Sequence, residues 1–106
     1  MCTHTTEKAE ISGSGKGRDG WFRLHTATVY FDHPVHAPED HTLNIDFADP
    51  SAGPAARVAV ELTAESALAL VDAIQAALAA VPADLTGLTH ETVKKLRREP
   101  LRQVSA

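Results

Sequence analysis

The chain has a single cysteine, Cys2, in 106 residues, so no intrachain disulfide can hold the fold and nothing points to an oxidising compartment. It has no long hydrophobic run. The most apolar stretch, Ala67 to Val81, is broken by Asp72 and Gln75 and falls short of the ~20 residues a helix needs to cross a bilayer. No positively charged segment leads into an apolar run near Met1, which argues against a secretory signal and gives the expectation of a cytoplasmic protein without a membrane partner. Basic charge is also scarce where the body lies. Residues 1–81 carry five Lys and Arg against eleven Asp and Glu, whereas residues 82–106 carry five against three. Binding to nucleic acid rests on neutralising phosphates, so an acidic body argues against a nucleic-acid partner, and the tail run KKLRR reads most simply as a solvated helix face. No Ser/His/Asp triad pattern, dinucleotide fingerprint or cysteine zinc knuckle is present.

What is there fits one small globular domain. A chain of 106 residues buries a single two-layer core, and 43% hydrophobic with 23% charged residues excludes both wholesale disorder and a fibre. Lys8 to Ser12 alternates briefly and predicts a first strand, followed by GSGKGRDG, whose four glycines predict a flexible hairpin loop. Trp21 to His33 is rich in aromatic and β-branched residues and predicts a long strand. His41 to Phe47 puts His41, Leu43, Ile45 and Phe47 on one face and Thr42, Asn44 and Asp46 on the other. After DPSAGP, Arg57 to Leu62 returns as a strand with Val58, Val60 and Leu62 aligned.

Thr63 can cap the helix that follows, which Pro82 ends near Val81. The apolar positions of that helix, from Ala67 and Leu70 to Ile74 and Leu78, recur every three or four residues and need a sheet to cover. The pattern predicts an α+β fold: a four-stranded antiparallel meander with one long helix packed on one face, plus a short C-terminal helix over 89–98. Residues 1–81 make the β-β-β-β-α core domain and 82–106 a basic tail, not an independent domain. Phe22, Leu24 and Tyr30 fall on the face away from the helix and want cover, from which a homodimer is expected.

Chemistry concentrates in DHPVHAPEDH, where His33, His36 and His41 lie within nine residues. If His33 ends one strand and His41 begins the next, they face each other at the mouth of the hairpin, on a shared face, about 5 Å apart at Cβ. His36 sits between Pro34 and Pro38, which restrict the backbone and can hold its ring over the same point. Three imidazoles that leave a coordination position open suit a divalent metal ion, with zinc or iron foremost and copper or nickel open, in a pocket between sheet and helix. Asp32, Glu39, Asp40 and Asp46 are candidates for a further ligand, an orienting group or a general base. As an enzyme, such a protein would be a metal-dependent hydrolase, lyase or oxygenase acting on a small-molecule ligand. Two other readings remain: a metal-free binding or interaction module, and a metal-free acid/base enzyme with one histidine against a carboxylate.

Cys2 and His4 form a C-x-H pair that can complete the metal site, yet strand parity carries them away from the histidine turn unless a bulge intervenes. Removal of Met1 would bare an N-terminal cysteine. SGSGKGRDG fails the phosphate-loop pattern and precedes a strand, so it reads as a hairpin, with Lys16 and Arg18 as its available charges. His25 and His90 read as structural or exposed.

The strings MCT, SGSGKG, GWF, VYFDHPVHAP and HTLNIDF resemble an uncharacterised family of small bacterial proteins known as a domain of unknown function, over residues 1 to about 81. The resemblance implies a bacterial cytoplasmic protein and brings no catalytic residue with it.

Overall fold

The computed structural model describes residues 6–34 and 38–98. Four strands come first, β1 (Thr6–Gly17), β2 (Gly20–Asp32), β3 (Thr42–Ala48) and β4 (Arg57–Leu62), followed by helices α1 (Ala64–Ala80), α2 (Ala83–Thr86) and α3 (His90–Arg98). The strands form one sheet in the order β1-β2-β3-β4 with every neighbour antiparallel, the predicted meander of an α+β chain. Contacts divide the chain into two compact units, Met1–Thr63 and Ala64–Ala106.

Within the first unit, the alternation read from sequence sets the register. Ala27, Val29 and Phe31 of β2 pair with Phe47, Ile45 and Leu43 of β3, and these pair on with Val58, Val60 and Leu62 of β4, so one face of three strands is apolar. The other face carries Thr28, Tyr30, Asn44, Asp46 and Glu61. Thr42 and Asn44 are buried on it, and the Thr42 hydroxyl donates to Asn44 Oδ1 at 2.7 Å, which offsets their loss of water. Between β3 and β4, Asp49 accepts from the Ser51 amide at 3.1 Å and the Ser51 hydroxyl at 2.7 Å, capping the 3-10 turn Pro50–Ala52.

The glycine-rich stretch departs from expectation. It is strand, not a flexible loop: β1 continues through Gly17, pairs with β2 up to Gly17↔Gly20, and leaves only Arg18 and Asp19 as the turn. Gly20 takes φ +112°, which a side chain would resist. A register shift between Glu10 and Gly13 marks a bulge. The glycines let side chains of β2 lie against the β1 backbone. A Cβ on Gly15 would stand 3.1 Å from Leu24 Cδ2, and one on Gly17 would stand 3.0 Å from Phe22 Cε1 and 3.3 Å from the Arg57 carbonyl oxygen. Arg57 belongs to the opposite edge strand, so the sheet curls at this end until its edges approach. Phe22 and Leu24 are thereby half-buried.

In the second unit, α1 starts directly after Thr63 and ends before Pro82, as the proline requires. The short helix α2 closes on Gly87, at φ +74°, in the left-handed conformation glycine favours. Thr89 caps α3: its hydroxyl accepts from the Thr92 amide at 3.2 Å. α3 packs against α1, and Val93 is 5% exposed. No described helix is long and apolar enough to cross a membrane.

Candidate metal site at the β2–β3 hairpin

His33 follows the last residue of β2 and His41 precedes the first residue of β3. The pairs Ala27↔Phe47, Val29↔Ile45 and Phe31↔Leu43 step along one face, and continuing that step brings His33 opposite His41. Their ring centroids are 4.4 Å apart, with planes tilted by 34°. His41 also stacks on Phe31, centroids 5.8 Å apart and planes 11° from parallel, so the apolar face of the sheet supports one side of its ring.

The loop between the strands fixes the rings further. His33 Nδ1 lies 3.1 Å from the Asp40 carbonyl oxygen. A carbonyl only accepts, so in the neutral ring Nδ1 carries the proton and Nε2 keeps its lone pair for a ligand, an arrangement that metal-binding histidines share. The Asp40 carboxylate turns the other way, with Oδ2 3.7 Å from His41 Nδ1. One ligand atom from each of His33, Asp40 and His41 lies within 4.8 Å of the other two. A single ion can bridge donors at that separation. Two imidazoles and a carboxylate form a nitrogen and oxygen set suited to zinc, ferrous iron, copper or nickel. His33 and Asp40 are exposed, and the His41 side chain is 29% exposed, so an ion held there would keep positions open to solvent.

The other nominated residues are dispersed. The Asp32 carboxylate accepts from the His33 backbone N–H at 2.7 Å, so it shapes the start of the loop. Glu39 is exposed in that loop. Asp46 stands on the opposite sheet face, where its Oδ1 accepts from Arg57 Nε at 2.9 Å and Nη2 at 2.7 Å, and its Oδ2 accepts from the Tyr30 hydroxyl at 3.5 Å. His36 and Cys2, with His4, lie outside the described residues. His25 approaches Asp49 Oδ2 at 3.8 Å, and His90 opens α3, exposed.

The Tyr30–Asp46–Arg57 group was not singled out from sequence. The signal was present in strand parity: Asp46 pairs with Ala59, which places Arg57 diagonally across on the same face. Burial, then the negative charge of Asp46, pushes the Tyr30 hydroxyl above its usual pKa, while Arg57 pulls against them.

A family of unknown function (DUF6295) matches over residues 1–87, and the chain belongs to that family. No curated protein and no solved structure matches the chain.

Proposed function

We propose that this member of a family without an assigned chemistry binds a divalent metal ion at the mouth of the β2–β3 hairpin, through His33, His41 and the Asp40 carboxylate. The observation that carries the reading is the convergence of one ligand atom from each of the three residues within 4.8 Å; the approach of His33 Nδ1 to the Asp40 carbonyl favours Nε2 as the nitrogen free to coordinate. Zinc or iron is the expected ion. His36, in the same loop by sequence, is the candidate third imidazole, and Cys2 the more distant candidate. An ion so exposed would keep water in its open positions, the state from which metal-assisted hydrolysis, lyase or oxygen chemistry on a small molecule starts. Glu39 is then the candidate proton carrier, because it shares the loop. The test is elemental analysis of untagged protein purified without chelator, alongside a variant with His33, His36 and His41 all changed to Ala. Close to one ion per chain, lost in the variant, supports the reading; protein that stays free of metal under zinc and ferrous iron titration overturns it.

A second reading rests on the 3.7 Å approach of His41 Nδ1 to Asp40 Oδ2, a histidine and carboxylate pair that needs no ion. It is separated from the first by activity or ligand binding that survives exhaustive chelation and fails in Asp40→Asn.

A further inference from the structure

The tip of the β1–β2 hairpin, away from the histidine turn, gathers most of what the acidic body has in positive charge. Of the five basic residues in 1–81, three stand within Lys16 to Arg23. Pairing places Lys16 directly opposite Trp21, and Ser14 directly opposite Arg23, so these four side chains share one face of the hairpin. The other face at this end is that of Phe22, Leu24 and the paired glycines. Trp21 is 70% exposed, and Lys16, Arg23 and Ser14 are exposed with it. An indole left in water costs hydrophobic free energy that a ligand can recover.

The hairpin tip is also concave. Ser12, Gly13, Ser14, Trp21, Phe22 and Arg23 line an open hollow of about 390 Å³, within the size range of small-ligand sites. Gly13, which follows the β1 bulge, lines it without a side chain, and nothing lies within 4 Å of where its Cβ would be. Arg18 approaches Asp19 at 3.6 Å, while Arg23 lines the hollow with the indole and Lys16 stands across the strand pair from Trp21. An exposed indole with a lysine across the strand pair and an arginine two residues along its own strand, beside two serines that line the hollow, matches a flat ring that carries an acidic group. The ring stacks on the indole and the anion meets the guanidinium in paired hydrogen bonds.

We propose that this hairpin tip binds a small planar anion of the nucleoside monophosphate kind, its ring stacked on Trp21 and its phosphate held by Arg23 and Lys16. The acidic remainder of the body sets the size of the ligand. Eleven carboxylates against five cations in residues 1–81 repel a long polyanion, while a single phosphate at the tip meets only the local charge.

Trp21 is the only tryptophan, so its fluorescence reports on this site alone. Titration of the whole chain with adenosine monophosphate is expected to give saturable quenching. Adenosine, which keeps the ring and lacks the charge, should bind at least fivefold more weakly, as should adenosine monophosphate to Arg23→Ala and Lys16→Ala. Because these side chains are exposed, the variants should keep the wild-type circular dichroism and melting temperature. Equilibrium dialysis with labelled nucleotide then compares Trp21→Phe, expected to keep a stacking surface and bind within about threefold of wild type, with Trp21→Ala, expected to lose at least tenfold. Absence of saturable quenching, equal binding of adenosine and its monophosphate, or full binding by Trp21→Ala each overturns the proposal. So does tighter binding of a single-stranded oligonucleotide with a steep salt dependence, which would identify a nucleic-acid surface.

Discussion

His33 and His41 meet ring to ring, 4.4 Å between centroids, although seven residues separate them along the chain. The antiparallel register brings them together, one step beyond the pair Asp32↔Thr42. Replacing either with Ala should cut the affinity for zinc by at least about 100-fold, since even groups that only orient a ligand cost 10–100-fold when lost. The fold should lose no more than about 1 kcal/mol, because neither ring is buried. Isothermal titration calorimetry and thermal denaturation measure the two quantities. Stoichiometric zinc retained by His41→Ala would count decisively against the site.

Asp40 offers two different groups to this site, its carbonyl to His33 and its carboxylate toward His41. Asp40→Asn keeps the first and removes the charge of the second. Zinc affinity should fall about tenfold or more in this variant if the carboxylate coordinates. Unchanged affinity would reduce Asp40 to a backbone support and leave the third donor to be found elsewhere in the loop.

Period-two alternation made the sheet face legible. Once Ala27, Val29 and Phe31 are matched to Phe47, Ile45 and Leu43, the meeting of the two histidines follows from parity alone. The family resemblance was legible too, and extends to residue 87. The glycine count predicts a loop, because it signals loops where side chains decide, whereas here the backbone itself is the packing surface under Phe22 and Leu24. Nearness in sequence groups Asp46 with the histidines. Its strand parity, opposite to that of His41, places it instead on the other sheet face, and the β3–β4 register sets it beside Arg57.

Tyr30 is the only tyrosine, so its ionisation can be followed directly by tyrosinate absorbance. Burial and the Asp46 carboxylate raise its folded pKa above the unfolded value of 10.0. Below pH 10.0 both states keep the proton and this contribution to stability is intact. As the pH climbs past that point the unfolded chain releases its proton first, so stability falls through the folded pKa. Urea denaturation should show a decline above about pH 10 that is shallower in Tyr30→Phe. A midpoint at or below the unfolded value would show that Asp46 and burial do not govern this hydroxyl.

Two glycines of β1 should respond oppositely to the same substitution. Neither has positive φ, so alanine is allowed by the backbone at both. At Gly17 the added Cβ meets a Phe22 ring atom at 3.0 Å and the Arg57 carbonyl at 3.3 Å, neither of which yields easily, and Gly17→Ala should destabilise by about 1–3 kcal/mol. At Gly13 there is open space, and Gly13→Ala should be neutral or stabilise by up to about 1 kcal/mol through the unfolded state. Equal effects in chemical denaturation would mean that the close approach of the sheet edges does not hold in solution.

The expected homodimer finds its better argument in α1 than in the sheet. Phe22, Leu24 and Tyr30, the groups whose need of cover predicts a partner, are half-buried, the first two against the glycines of β1. In α1, by contrast, Leu70, Ile74 and Ala77 follow the alternating spacing of three and four that forms a helix seam, and Val81 just past its end continues it. A two-fold interface presents the same stripe from both copies, so a residue i that meets j on the partner is matched by j meeting i. Sedimentation equilibrium at tens of micromolar should therefore find a dimer. Ile74→Asp places a carboxylate at the middle of the seam and should weaken association at least about tenfold, since each buried charge left unpaired costs several kcal/mol. A wild-type chain that stays monomeric across the concentration range would rule the seam out and leave α1's apolar stripe to some other cover.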